Sequence, residues 1–182
     1  GSYRMMVKTV VSNKGVWPCF EISSQPKTMG DLVLKVMLEA MDDTGPIHKG
    51  DVTFLNVYVK KGPGATDKKM QDTAAFAKPI LCALAGKKDI VIDTEFLSST
   101  FSVDVVDGKV VRDHKMKTPL YVVIEPYTNP TTGATGMSVK SIRMAKDGDV
   151  SSSVKSSAPV TDGALANEVA SSMGTMQQSE MN

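Results

Sequence analysis

The residues best able to do chemistry in this chain are lysines. Lys60-Lys61 and Lys68-Lys69 bracket Gly62-Pro63-Gly64-Ala65-Thr66-Asp67, so four ammonium groups share one glycine-proline tip. Point charges on long stems suit phosphates, of lipid headgroups or of a nucleic-acid backbone, because they need no fixed bidentate geometry. Near an anionic leaflet each is worth about 1 kcal/mol, and the sum is sensitive to salt. Lys87-Lys88 and the run Lys109, Arg112, Lys115, Lys117 extend the patch if the fold gathers them. Ordinary solubilising lysine is the plainer account of any single pair. Specific base reading is not expected, since aromatics are 5% of the chain and do not interleave with the basic clusters.

Catalytic groupings are scarce. His48 and His114 each precede a lysine in polar sequence, and with Cys19 and Cys82 they make four conceivable zinc ligands. No two of these stand at ligand spacing, so the expectation is exposed histidines, buried thiols, and neither metal nor cofactor. Gly62-Pro63-Gly64 lacks the Lys-Ser/Thr and the helix of a phosphate loop, and no GxSxG or HExxH occurs. Asp93 and Glu95 read as the solvated side of a strand whose other side carries Ile92, Thr94 and Phe96. The expectation is a protein that is not an enzyme.

Composition frames these residues. The chain has 182 residues, 41% hydrophobic and 23% charged, which suits one domain with an extension. Its balance of 21 basic and 20 acidic residues gives +1, so attraction to anions must come from a local patch. Two cysteines make no disulfide framework and point to synthesis in a reducing cytosol. The longest apolar runs fall short of the ~20 residues that cross a bilayer, so any membrane contact is expected to be peripheral. Gly1-Ser2 looks like a cloning remnant and is expected to add nothing.

The elements that position the lysines follow from periodicity. Tyr3 to Val11 alternates as a half-buried strand, and Val16, Phe20 and Ile22 begin a second one, with Pro18 marking an edge or bulge. Thr28-Met29-Gly30-Asp31 has the spacing of a capping box, and Leu32 to Met41 then reads as a helix with an over-wide apolar stripe. Val52 to Lys60 is a strand, Gln71 to Ala85 a helix interrupted at Pro79 and stopped by Gly86. Ile90 to Phe96 and Phe101 to Val105 alternate as strands, and Asp107-Gly108 marks a hairpin. Leu120 to Pro126 and Met137 to Met144 fit a further antiparallel pair. The fold class is therefore α+β, a mainly antiparallel sheet with two helices.

A globular domain is expected over 3–146 and a disordered Ser-rich acidic tail over 147–182. Within the tail, Leu165, Val169 and Met173 recur at i, i+4, i+8. Methionine is abundant at 12 residues. Core plasticity accounts for many of these, but Met37 and Met41 on the over-wide stripe, with Leu165, Val169 and Met173, are candidates for self-association.

The order of features in the first 60 residues resembles the matrix proteins of rhabdoviruses, the plant-infecting, cytorhabdovirus-like members in size. The similarity runs through Val7-Lys8-Thr9-Val10-Val11-Ser12-Asn13, Thr28-Met29-Gly30-Asp31-Leu32-Val33, His48-Lys49-Gly50 and Thr53 to Val59. It implies a compact α+β protein that lies beneath the virion envelope, or at membranes and in the cytoplasm of the host cell. There it self-associates as a homo-oligomer, touches an anionic lipid membrane, and packs the viral nucleocapsid. Lys60, Lys61, Lys68, Lys69, Lys87 and Lys88 would meet lipid or ribonucleoprotein phosphates, with RNA bound non-specifically if at all. The chain departs from better-known members in having no PPxY signal and an acidic C-terminal tail in place of a basic N-terminal arm. A different class remains open on sequence: a single-stranded nucleic-acid-binding viral protein of the silencing-suppressor or movement type.

Overall fold

Alternation along the first strand sets the architecture. In β1 (Ser2–Lys8) Tyr3, Met5 and Val7 are buried, while Arg4, Met6 and Lys8 lie on the half-open side. The computed structural model describes residues 1–153, and in them the sheet grows around β1 as an antiparallel array. β2 (Val10–Ser12) and β3 (Gly15–Trp17) form a small hairpin, β4 (Cys19–Ile22) follows, and β5 (Leu32–Ala40) and β6 (Val52–Lys60) are the long central pair. The helix α1 (Asp67–Ala85) and the shorter α2 (Thr94–Phe101) come next. β7 (Asp104–Val106) and β8 (Lys109–Arg112) pair only with each other, and β9 (Leu120–Thr128) and β10 (Thr135–Met144) complete the main sheet. The chain is α+β, with two α-helices and a mainly antiparallel sheet among the described residues.

β5 is the hub. One of its edges is taken by β6, from Leu32↔Lys60 to Glu39↔Val52. The other edge is shared: β4 pairs with the first half at Cys19↔Lys35, and β1 with the second half at Lys8↔Met37. β1 then carries β9, and β9 carries β10. α1 packs across β6 and β10 and seats Ala77, Leu81 and Leu84 on the apolar side of the sheet. There they meet Leu34, Val36, Leu38, Leu55, Val57, Phe101, Met116, Leu120 and Val122.

Several expectations change. The segment Leu32 to Met41 is a strand, not a helix. Leu34, Val36, Leu38 and Ala40 face the α1 core, while Val33 and Met37 are buried on the opposite side. A central strand covered on both faces loses its period of two and reads as a continuous apolar run, which a helical stripe imitates. The capping box before it is not one. Pro26–Thr28 forms a single 3-10 turn, and Asp31 is drawn into the interior. Ile90 to Phe96 is not a strand either: Asp93 caps α2 by accepting from the Phe96 N–H at 2.7 Å, with Glu95 in the first turn where the helix dipole favours it. Phe101 closes that helix instead of opening a strand. Ser2 is buried in β1, and the Gly1 ammonium donates to the Ile124 carbonyl at 2.8 Å, so these residues are part of the sheet.

Other elements stand where expected. The Asp107-Gly108 hairpin has both residues at positive φ, 52° and 73°, as a tight two-residue turn requires. α1 ends as expected at Gly86 in the left-handed conformation, but it begins at Asp67 and not Gln71, and runs unbroken through Pro79 where an interruption was expected. The pairing of β9 with β10 is also as read.

The described body continues past 146. Arg143 grips Asp149 through two parallel hydrogen bonds of 2.7 and 2.8 Å, and stacks over the Tyr121 ring at 4.4 Å. That guanidinium, with the Lys146 N–H, holds the Asp149 carboxyl down at about 2. Ser151 Oγ donates to Asp42, and Ser152 exchanges backbone hydrogen bonds with Ser2 at 2.8 and 2.7 Å. Leu165, Val169 and Met173 lie outside the described residues.

Candidate functional site

At its N-terminal end α1 is capped by Thr66, whose hydroxyl accepts from the Lys69 N–H at 3.3 Å. Lys68, Lys69 and Met70 are exposed on the first turn, and Lys60 is exposed at the end of β6. Lys61 differs. Its ammonium pairs at 3.0 Å with Asp31, whose other oxygen accepts the Gly62 N–H at 2.8 Å. A Cβ at Gly62 would stand 2.7 Å from the Met29 carbonyl, so only glycine fits where this loop lies against the 28–31 turn. The loop that carries the lysine pairs is therefore pinned at its base, with three of the four bracketing lysines facing solvent. The same packing brings Lys27 and Met29 to this corner. Met29 is 62% and Met70 38% exposed, so an exposed thioether accompanies Lys27 in the one segment and Lys68 and Lys69 in the other. Asp67 and Asp72 are the exposed acids nearby on α1.

The C-terminal end of α1 is built differently. Lys87 and Lys88 follow Gly86, roughly 26 Å of helix rise from Lys69, so they do not join the first cluster. Lys87 sits 5.4 Å over the Phe96 ring, and Lys78 pairs with Asp89 at 2.9 Å. Thr118 packs against Gly86, which brings the 113–117 segment to this same end. There Lys117 bonds Asp113 at 2.6 Å, and Arg112 bonds Asp104 at 2.6 Å. Partial burial raises the Asp113 carboxyl, but Lys117, Thr9 and the His114 N–H together hold it at about 2. Beside it the β7–β8 ribbon exposes Val106, Val110 and Val111 around the exposed Lys109.

His114 is buried, contrary to expectation. Its Nδ1 accepts from the Met116 N–H at 3.0 Å, which puts the proton on Nε2, an atom without a hydrogen-bond partner among the described residues. Burial, reinforced by Lys117, pushes its pKa down against the pull of Asp113. His48 is exposed and 3.6 Å from Asp43. Cys19 and Cys82 form no disulfide and are half-buried, and burial raises the Cys82 thiol, the opposite of nucleophilic activation. Among the described residues no three His, Cys, Asp or Glu side chains converge as metal ligands, and no helix is long and apolar enough to cross a membrane.

Where the turn between β5 and β6 meets the far ends of β1, β9 and β10, an apolar cavity of about 610 Å³ opens. Tyr3, Met5, Ile47, Val52, Ile124 and Met137 line it, with Asp51 as its one carboxylate. Met37, expected on an accessible helical stripe, is only 8% exposed beneath the sheet's second face, and Met41 is half-buried. Sequence reading missed Lys27, Met29 and Met70. The false helix over 32–41 hid the exposed turn before it, and only the return of β6 beside that turn creates the corner.

Comparison with protein-family models, with curated proteins and with solved structures gives no match to this chain.

Proposed function

We propose that this chain is a non-enzymatic structural protein of the rhabdovirus matrix type. It binds an anionic membrane surface peripherally, associates with further copies of itself, and links a viral nucleocapsid to the envelope during assembly. The observation that carries this reading is that Lys27, Lys60, Lys68 and Lys69 are all exposed on segments joined where Gly62 packs against the 29–30 turn, with Met29 and Met70 exposed in the same segments. Lysines meet lipid phosphates while the two thioethers enter the headgroup boundary. Folding alone gives no reason for Lys68 and Lys69 to occupy a helix N-terminus, where the dipole disfavours cations. Self-association is supported by the β7–β8 ribbon, whose strands pair only with each other and leave valines in solvent. Weak lipid contacts become firm when many copies present them together.

Flotation with phosphatidylserine-containing vesicles tests the reading. Lys60→Ala/Lys68→Ala/Lys69→Ala should weaken binding by about 10- to 100-fold at low salt and flatten its salt dependence. Equal binding to neutral phosphatidylcholine vesicles, or an unchanged triple variant, overturns the membrane assignment. Micromolar binding to random single-stranded RNA without vesicle binding or self-association moves the protein to the nucleic-acid class.

A further inference from the structure

We infer that the face of β5 and β6 turned away from α1 binds single-stranded nucleic acid, with bases stacked on Phe54 and Tyr58. The main sheet is more than a flat array. β6, β5, β1, β9 and β10 run antiparallel in that order, and α1 packs on both outer strands, β6 and β10. Val52 and Thr53 of β6 and Met137 of β10 line the same recess, so those two strands curl towards each other as a partly open barrel. In chain order β5 and β6 are its second and third strands, and α1 joins the third to the fourth, β9. Five-stranded, partly open barrels present that pair of strands to oligonucleotides. A fold alone fixes no ligand, so the residues on this face carry the inference.

Tyr58 lies opposite Val33, Asn56 opposite Lys35 and Phe54 opposite Met37, on the side away from α1. Two rings therefore stand at i and i+4 on one strand, with an amide between them. Phe54 is 38% exposed and Tyr58 half-buried, and among the described residues β6 pairs with β5 alone, so no further strand flanks the rings. Every base offers a π-face to such rings. Asn56 is 2% exposed, and its Nδ2 has no hydrogen-bond partner among the described residues. A buried amide nitrogen in that state calls for an acceptor, and the carbonyl and ring-nitrogen atoms of bases are acceptors. Lys35 and Lys8 are ion-paired with Glu21 and Glu39, which leaves the centre of the face near neutral. Positive charge gathers at one end: Lys60 is exposed two residues beyond Tyr58, and Lys27, Lys68 and Lys69 are exposed on the segments that adjoin it. Bases meet an uncharged aromatic strip while phosphates run out towards the lysines. Aromatics and lysines that stand apart in sequence are thus brought together by strand register. The inference stands independently of lipid binding, although Lys60 serves either ligand.

Fluorescence anisotropy of a fluorescein-labelled oligo(dT) of about 15 nucleotides, titrated with the full chain, tests it. Micromolar or tighter binding is expected, with a duplex of the same length at least about 10-fold weaker because its bases are already stacked. Phe54→Leu/Tyr58→Leu keeps the apolar bulk, removes both π-faces, and should weaken binding by about 10- to 100-fold while leaving the salt slope unchanged. Phe54→Tyr/Tyr58→Phe should bind as the unmodified chain does, which separates stacking from damage to the fold. Both variants should still float with phosphatidylserine-containing vesicles, so failure of the membrane reading and failure of this one are read separately. No measurable binding, equal affinity for the duplex, or an unchanged leucine variant overturns the inference. A leucine variant that loses vesicle flotation as well makes the face a lipid contact and overturns it equally.

Discussion

The two ends of α1 use the same residue type for different purposes. At the C-terminal end the cations serve the fold: Lys78 meets Asp89, Lys87 covers Phe96, Lys117 meets Asp113, and the helix dipole favours them there. At the N-terminal end, among the described residues, Lys61 alone has a side-chain partner, and Lys60, Lys68 and Lys69 are exposed where the dipole opposes two of them. Under the proposed function, a charge placed against local electrostatics is one kept for an anionic surface. The contrast separates lysines that hold this protein together from lysines that it offers.

The sharpest way to break the contrast is through Asp31, the one acid that ties the basic corner to the core. Asp31→Ala leaves the Gly62 N–H buried without an acceptor and should cost about 2–4 kcal/mol in urea unfolding. Asp31→Asn keeps an acceptor for Gly62 and should recover about half of that. Equal stability of all three forms would mean that the loop is not pinned. An intermediate effect comes from His114. Its lowered pKa means that the unfolded chain takes up a proton near pH 6.5 that the fold refuses, so stability should be flat above pH 6.5 and fall as pH drops below it. His114→Asn, which keeps an acceptor for the Met116 N–H, should remove that slope. Asp113 acts in a separate window: its carboxyl, at about 2 against 3.8, contributes stability that is lost only as pH falls through that lower range. The smallest effect is the most telling. Lys68→Glu/Lys69→Glu should raise Tm by about 1–3 °C at low salt, and Lys87→Glu/Lys88→Glu should lower it by a similar amount. Matching signs at both ends would dissolve the distinction.

Local signals were legible wherever one side of an element faces water. β1, β6, α1, the Asp107-Gly108 hairpin and the β9–β10 pair all follow from alternation, a glycine stop or turn chemistry. The lysine pairs on the 60–69 loop were equally plain. What could not be read were the places where tertiary contact overrides the pattern. Leu32 to Ala40 lost its alternation because strands flank both edges and side chains cover both faces. Asp31 resembles a helix cap in sequence, yet its partners are 30 and 31 residues away in Lys61 and Gly62. Ile90 to Phe96 alternates by accident, while the informative residue was Asp93, an acceptor placed before Phe96, Leu97, Thr100 and Phe101. The cavity is invisible in sequence because its walls come from five separate segments.

β5 carries a further consequence. Nearly apolar on both sides, it has little in its own composition to prevent it from sliding one residue along its neighbours. Lys35 and Glu39 supply what is missing: each points away from α1 and meets a countercharge on an adjoining strand, Glu21 and Lys8 respectively. A shift by one position would swing both charges into the dry interior. These two ions act as detents that fix the strand's alignment, and through it the lateral spacing of everything hydrogen-bonded to either side.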